Sequence, residues 1–268
     1  MKVIVNADDY GLDENRTQAI QEAFRLGAIT STTAMANMPW FERAMKEADG
    51  LGFKRDIGLH INLTEGEPLT DEMRNCRELT DERGRFDNRF HLSLKGRFVL
   101  SASARRAIGN EARAQMQRYL DCGGSLMQLD SHHHVHTDAS VTPILYRVAK
   151  EFGFKSARLS RNIGSGIGLV KRCYKTLWNA YSQSILPSCV DYFGSFGDFK
   201  NTWMTLPFDS RVEVMVHPLY LRNGVLDCGG ELFDTEVLLS REIDFWHDAM
   251  KKDVDLVRYD GLGCDSRR

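Results

Sequence analysis

The sequence predicts an α/β fold in which parallel strands, joined by crossover helices, curl into a barrel or barrel-like sheet. Three observations carry that expectation. Short apolar runs alternate with stretches of helical periodicity in the order β-α-β-α-β over residues 1–63. About seven such runs recur along the chain, enough for a barrel or barrel-like sheet. Asp8, Asp9, His60, His132, Arg158 and His217 each fall at or just past the end of one of them, where parallel α/β folds gather their chemistry.

Taken in order, Lys2 to Ala7 reads as a buried strand because Val3, Ile4 and Val5 are continuous, as in strands covered on both faces. Gly11 breaks it and Asp13 is placed to cap a helix. Ala19, Ile20, Ala23, Phe24 and Leu26 then follow at helical spacing up to Gly27. Ile29 to Ala36 is a threonine-rich second strand. Pro39 opens a helix that stops near Gly50, and Asp56 to Leu63 is a third strand carrying His60. Residues 64–100 lose all periodicity after the turn chemistry of Thr64 to Pro68 and are expected as a lid or insert. Ser101 to Leu120 is a helix that Gly123 and Gly124 end. A short apolar strand then leads into a histidine run. A helix from Pro143 to Phe152 follows, then a strand from Phe154 to Leu159 with Arg158 near its end.

Residues 160–205 form a second expected lid or insert. Gly164, Gly166 and Gly168 lack the spacing of a phosphate-binding fingerprint. A helix with Trp178 and Tyr181 follows, and the aromatic stretch Tyr192, Phe193, Phe196 and Phe199 is expected as core rather than as a sugar platform. Val212 to Val216 is a strand ending in His217 and Pro218. A helix from Thr235 to Met250 and a strand from Val254 to Tyr259 close the chain. No repeat or linker divides it, so residues 1–268 are read as one domain.

Composition excludes several classes. With 35 basic and 37 acidic side chains the net charge is −2, which points to neither nucleic acid nor an anionic membrane as the main partner. No apolar run approaches the ~20 residues of a membrane span. The first nine residues turn acidic too soon for a secretory signal. The six cysteines are scattered without a C-x-x-C pair, which argues for buried free thiols and a cytoplasmic location. A homo-oligomer is left open.

Four of the eight histidines lie in His132, His133, His134 and His136, directly after the apolar run and Asp130. An extended chain would place His132, His134 and His136 on one face; a helix would stack His132 over His136. In either case imidazoles converge, and neutral imidazole is the commonest protein ligand for a transition metal. Asp8 and Asp9 are adjacent, so in an extended strand their side chains point apart and suit two roles, one on a metal and one facing water or substrate. One Asp with two His leaves coordination positions open, as catalytic sites do. The mixed N/O set suits one divalent Zn²⁺, Co²⁺, Ni²⁺ or Mn²⁺ ion, with Mg²⁺ a less natural occupant. Amide hydrolysis at such a centre needs a base, for which Asp8 is placed, and an acid, for which His217 is placed. Two other readings compete: a multi-metal phosphoesterase and a non-catalytic sugar- or metal-binding module.

Asn6-Ala7-Asp8-Asp9-Tyr10-Gly11, Gly58-Leu59-His60, Asp130-Ser131-His132-His133-His134-Val135-His136 and Val216-His217-Pro218 together resemble the YdjC-like carbohydrate deacetylases. The match runs in order from residue 3 to about 218 and is most specific in the Asp-Asp and histidine segments. The resemblance implies a (β/α) barrel-like fold related to the NodB-type deacetylases. It also implies metal-dependent removal of an N-acetyl group from an amino sugar. By position it makes Asp9, His60 and His132 the metal ligands, Asp8 the base, His217 the acid and Arg158 the residue that orients the base. Tyr10 stands where the family pattern has Phe, and Leu219 and Tyr220 stand where it has a small residue.

Overall fold

The protein is described by a computed structural model over residues 1–164, 168–221, 224–227 and 244–262. β1 (Lys2–Tyr10) is buried along all but its first residue. It leads through the Asp13 cap, whose carboxylate accepts from the Arg16 N–H, into α1 (Glu14–Arg25). β2 (Ser31–Ala34), α2 (Phe41–Leu51) and β3 (Ile57–Ile61) complete the expected opening order. Gly58 is required where β3 is squeezed between its neighbours, because a Cβ there would lie 2.9 Å from the Gln128 carbonyl and 3.1 Å from Thr33 Cγ2.

Residues 64–100 carry three short helices, α3 (Asp71–Arg74), α4 (Arg89–Leu92) and α5 (Leu94–Phe98). α6 (Ala102–Asp121) packs on α7 (Thr142–Glu151), with β4 (Gln128–Ser131) between them in sequence. β5 is confined to Ser156–Ala157, much shorter than the expected strand, so Arg158 follows its end directly. α8 (Leu169–Ile185) precedes β6 (Tyr192–Ser195) and α9 (Phe196–Thr202). The aromatic stretch is thus a strand and a helix, and Phe193 and Phe199 are buried as core. β7 (Arg211–Val216) runs into an antiparallel hairpin of β8 (Pro218–Leu221) and β9 (Gly224–Asp227). That hairpin is fixed to α1 by Asn15, which accepts from the Tyr220 N–H and donates to its carbonyl, both at 2.6 Å. Residues 244–250 are helical, and β10 (Asp255–Leu256) is a two-residue strand. The start of the expected Thr235–Met250 helix lies outside the described residues.

All strands of the main sheet are parallel, in the order β5-β4-β3-β2-β1-β7-β6, with β10 added beside β1. β7 pairs with β1 from Lys2 to Ala7, whereas β10 takes Lys2 and Val3 and β2 begins only at Asn6. β10 and β2 therefore share one edge of β1, end to end. The sheet curls into a half-barrel, and the segment after β5 reaches towards β6 through several hydrogen bonds, among them Ala157 N–H to Pro187 C=O, Asn162 N–H to Phe193 C=O and Phe193 N–H to Asn162 Oδ1. One large apolar cluster, including Val3, Val5, Ile20, Phe41, Leu59, Ile108 and Val214, lies between sheet and helices.

The cysteines depart from the expectation of buried thiols. Cys76, Cys122 and Cys173 are free, but Cys173 is exposed, and Cys189 is disulfide-bonded.

Candidate metal centre

The C-terminal end of β1 does not keep its alternation. Asp9 adopts φ +71°, at a register shift between β1 and β2 that spans Ala7 to Tyr10. A non-glycine residue in the left-handed region is uncommon, Asp tolerates it better than most, and it costs about 1–3 kcal/mol. The shift corrects the expectation that the two carboxylates point apart, since both reach His60. The histidine run is likewise neither extended nor a regular helix. Residues His132–Thr137 form a tight 3₁₀ segment with His133 at φ +52° and His134 at φ +58°. The double reversal sends His132 to Asp9, His133 to Thr64, and His136 inward to Ser131.

Asp9 Oδ1 lies 3.2 Å from His60 Nε2 and 2.8 Å from His132 Nδ1. The donor atoms of all three residues lie within 4.8 Å of one another. Donors bound to one ion at about 2.0–2.2 Å sit roughly 3 to 3.6 Å apart, so the set fits a shared cation. All three are buried. Burial pushes Asp9 up, but its hydrogen bonds to His132 and His60 win and hold the carboxyl well below its usual range. Burial would lower His60, yet Asp130 and Asp9 raise it to about 10. His132 is raised for the same kind of reason, against burial, by Asp9 and Glu65. Without a cation the site therefore holds its carboxylates through protons on both imidazoles, and a divalent ion would replace those protons.

Around these three stands a buried polar shell. Asp130 accepts from His60 Nδ1 at 2.6 Å and from Thr33 Oγ1 at 3.1 Å. It is the carboxylate partner that metal-ligating histidines usually have on their second nitrogen. Arg158, fully buried, donates to Asp8 from Nη1 at 2.6 Å and Nη2 at 2.7 Å, to Glu213 at 2.7 Å, and pairs with Asp130 at 2.5 Å. It also lies over the Phe193 ring at 4.8 Å. Asn6 Nδ2 donates to Asp8 Oδ1 at 2.9 Å. Burial would raise Asp8, but Arg158 outweighs it and keeps the carboxyl ionised well below the ordinary range. Glu213 goes the other way, because burial exceeds its share of Arg158 and lifts it to about 7. A second group of potential donors, Asp8, His60 and Asp130, overlaps the first. The Arg158 guanidinium already occupies the space between its two carboxylates, which leaves Asp9, His60 and His132 as the better cation site.

These groups open onto a cleft of about 340 Å³ lined by Asp8, His60, His132, His133, His134 and His217, with Asn88, His91 and Leu92 at its rim. His217 Nε2 is 3.8 Å from Asp8 Oδ2. His133 and His134 are lowered to about 4 and about 3, burial being the larger cause in each, so both rings are neutral. The structure thus brings Asp8, Asp9, His60, His132, Arg158 and His217 into one cluster. It adds Asp130, Glu213 and Glu65, whose Oε2 is 3.0 Å from His132 Nε2. Glu213 had a readable signal: a lone acid inside the apolar run Val212 to Val216 needs a buried cation. Asp130 had a weaker one, two residues before His132 on the same strand face. Glu65, in a turn, had none.

The family model for YdjC-like proteins matches residues 2–247. A carbohydrate deacetylase of Brevibacillus brevis is 31% identical over 281 residues, spanning 98% of this chain and 100% of that relative. A carbohydrate deacetylase of Vibrio cholerae is 41% identical over 152 residues, 57% of this chain and 56% of the relative. Among solved structures, an Enterococcus faecalis protein named for cellobiose-phosphate cleavage superposes with a TM-score of 0.74 at 24% identity, covering 97% of this chain and 98% of that one. That likeness speaks for the fold.

Proposed function

The chain belongs to the YdjC-like family, and from that premise we propose that it is a carbohydrate deacetylase that removes the N-acetyl group of an amino sugar with the help of one divalent cation. The observation that carries the proposal is the Asp9–His60–His132 triangle, set in a cleft beside a second carboxylate, Asp8, and a further histidine, His217. Residues 1–268 act in this reading as one domain, with 64–100 and 160–205 shaping the cleft from above.

Asp9, His60 and His132 would hold the ion, which when bound polarises a carbonyl and acidifies water; a transition metal such as Zn²⁺ suits the donors better than Mg²⁺. Asp130 fixes the His60 ring and Glu65 the His132 ring. Asp8 is the proton acceptor. Its Oδ1 takes two donors, Arg158 and Asn6, whereas among the described residues Oδ2 takes only Arg158 and retains capacity for another. Arg158 keeps that carboxylate ionised and aimed, at the expense of basicity. His217, on the Oδ2 side, delivers a proton to the departing nitrogen. The amide C–N bond breaks, water's oxygen joins the acyl carbon, one proton passes to Asp8, and the products are acetate and the free amine.

A multi-metal phosphoesterase would need a second cation site, and the Asp8–His60–Asp130 group is occupied by Arg158. Acetate release should be measured over N-acetylglucosamine oligomers, lipid-linked amino sugars and nucleotide sugars, with and without chelator. Chelator-sensitive acetate from at least one substrate is expected. Ligand binding with no acetate from any of them would leave a binding module instead.

A further inference from the structure

Helix α8 carries its apolar side outward. The positions facing the body are Asn179 and Ser182, both buried. Val170, Cys173, Tyr174, Leu177 and Tyr181 recur at helical spacing on another face and lie in solvent, with Val170 85% and Leu177 73% exposed. A surface helix of a globular protein ordinarily shows the reverse. A second exposed apolar patch covers α4 and α5, where Leu92, Leu94, Phe98 and Val99 stand out.

Both patches are fringed by cations; the α4/α5 patch borders the metal-site cleft and α8 borders the cavity beside it. Leu92 lines the metal-site cavity itself. An adjoining cavity of about 300 Å³ shares His91, His133 and His134 with it and is lined by Arg97, Arg161, Lys171 and Lys175. Two acids nearby are committed: Asp138 to Arg97 and His91, and Asp198 to Arg161. Lys95, Lys171, Arg172 and Lys175 give the rim a positive excess. A net charge of −2 for the whole chain does not preclude such a local excess among the described residues.

We infer that this rim docks on the surface of an anionic lipid bilayer and turns the cleft towards the headgroups, so that the amino sugar it receives is carried on a lipid. Charge decides between occupants. A second copy of the chain would set the same cations against one another, whereas anionic headgroups neutralise them. The apolar stripe enters the headgroup–acyl boundary, and the tyrosines and Trp178 supply rings suited to that depth. The substrate class rests on the deacetylase reading; the docking does not.

The test mixes the full chain with vesicles of phosphatidylcholine, alone or blended with phosphatidylglycerol, and sediments them. Co-sedimentation with the blended vesicles, reversed by salt, is expected. The double variant Val170→Glu, Leu177→Glu should partition about tenfold less or worse. It should also release acetate about tenfold more slowly from a vesicle-borne N-acetylglucosaminyl lipid, with the rate on a soluble chito-oligosaccharide unchanged. Wild-type protein left in the supernatant, or vesicle binding that the variant retains, overturns the proposal. So does a dimer in sedimentation velocity that the variant splits while vesicles bind neither form. Vesicle binding with no acetate from any substrate would sink the deacetylase reading and leave the docking standing.

Discussion

Replacing Asp8 by Asn separates proton transfer from everything else the site does. The carboxylate makes three hydrogen bonds: Oδ1 with Arg158 Nη2 at 2.7 Å and Asn6 Nδ2 at 2.9 Å, and Oδ2 with Arg158 Nη1 at 2.6 Å. An amide oxygen can keep the first two. The amide NH₂ then faces Arg158 Nη1, and one charge-assisted bond is lost, about 1.5–3 kcal/mol. Arg158 keeps Asp130 and Glu213, so the variant should fold. The cation site, built on Asp9, should load as before. What disappears is the carboxylate oxygen, Oδ2, that this reading makes the proton acceptor. Loss of a general base costs ~10²–10⁴-fold in rate, equivalent to about 3–5 kcal/mol of barrier. The assay is steady-state acetate release beside bound-metal content and thermal unfolding. A kcat within about threefold of wild type, at equal metal content, would show that Asp8 is not the base.

Other consequences follow from the same geometry. His60 is raised to about 10 and His132 is raised as well in the absence of a cation, so Zn²⁺ binding near neutral pH should release protons, at least the one on His60, and affinity should climb with pH; calorimetry in buffers of different protonation enthalpy measures this, and uptake without release would contradict it. Asp130→Asn should weaken Zn²⁺ affinity by about 10–100-fold through the loosened His60 ring, read by chelator competition; an unchanged affinity would remove Asp130 from the site. Glu213 is raised from an ordinary 4.5 to about 7, so the native state binds a proton that the unfolded chain has released. Its contribution is full below about pH 4.5 and is lost as pH rises through about 7. Denaturant unfolding at about pH 5 and about pH 8 should show a decline that Glu213→Gln makes shallower; an equal decline in both proteins would assign it elsewhere.

The strands were legible where burial on both faces makes the apolar run continuous, as at Val3 to Val5 and Val212 to Val214. β6 was not legible, because its Tyr-Phe-Gly-Ser segment reads equally well as core or loop. The six site residues stood at strand ends in the sequence, and a parallel sheet necessarily collects those ends on one side. The left-handed conformations of Asp9, His133 and His134 were invisible, since Asp and His tolerate that region without requiring it, and the contacts that accompany it here, with β2 and Thr64, are tertiary. So was the direction of α8. Its periodicity specifies an apolar face, but whether that face meets the core or the solvent depends on packing that the pattern does not record.

The proposed chemistry requires one cation among three residues that are far apart in the chain. Anomalous diffraction from crystals grown with Zn²⁺ tests this most directly. A single peak at about 2.0–2.2 Å from atoms of Asp9, His60 and His132 is the predicted result. Two ions in the cleft, or a peak held by other side chains with these three still bridged by their own hydrogen bonds, would contradict it.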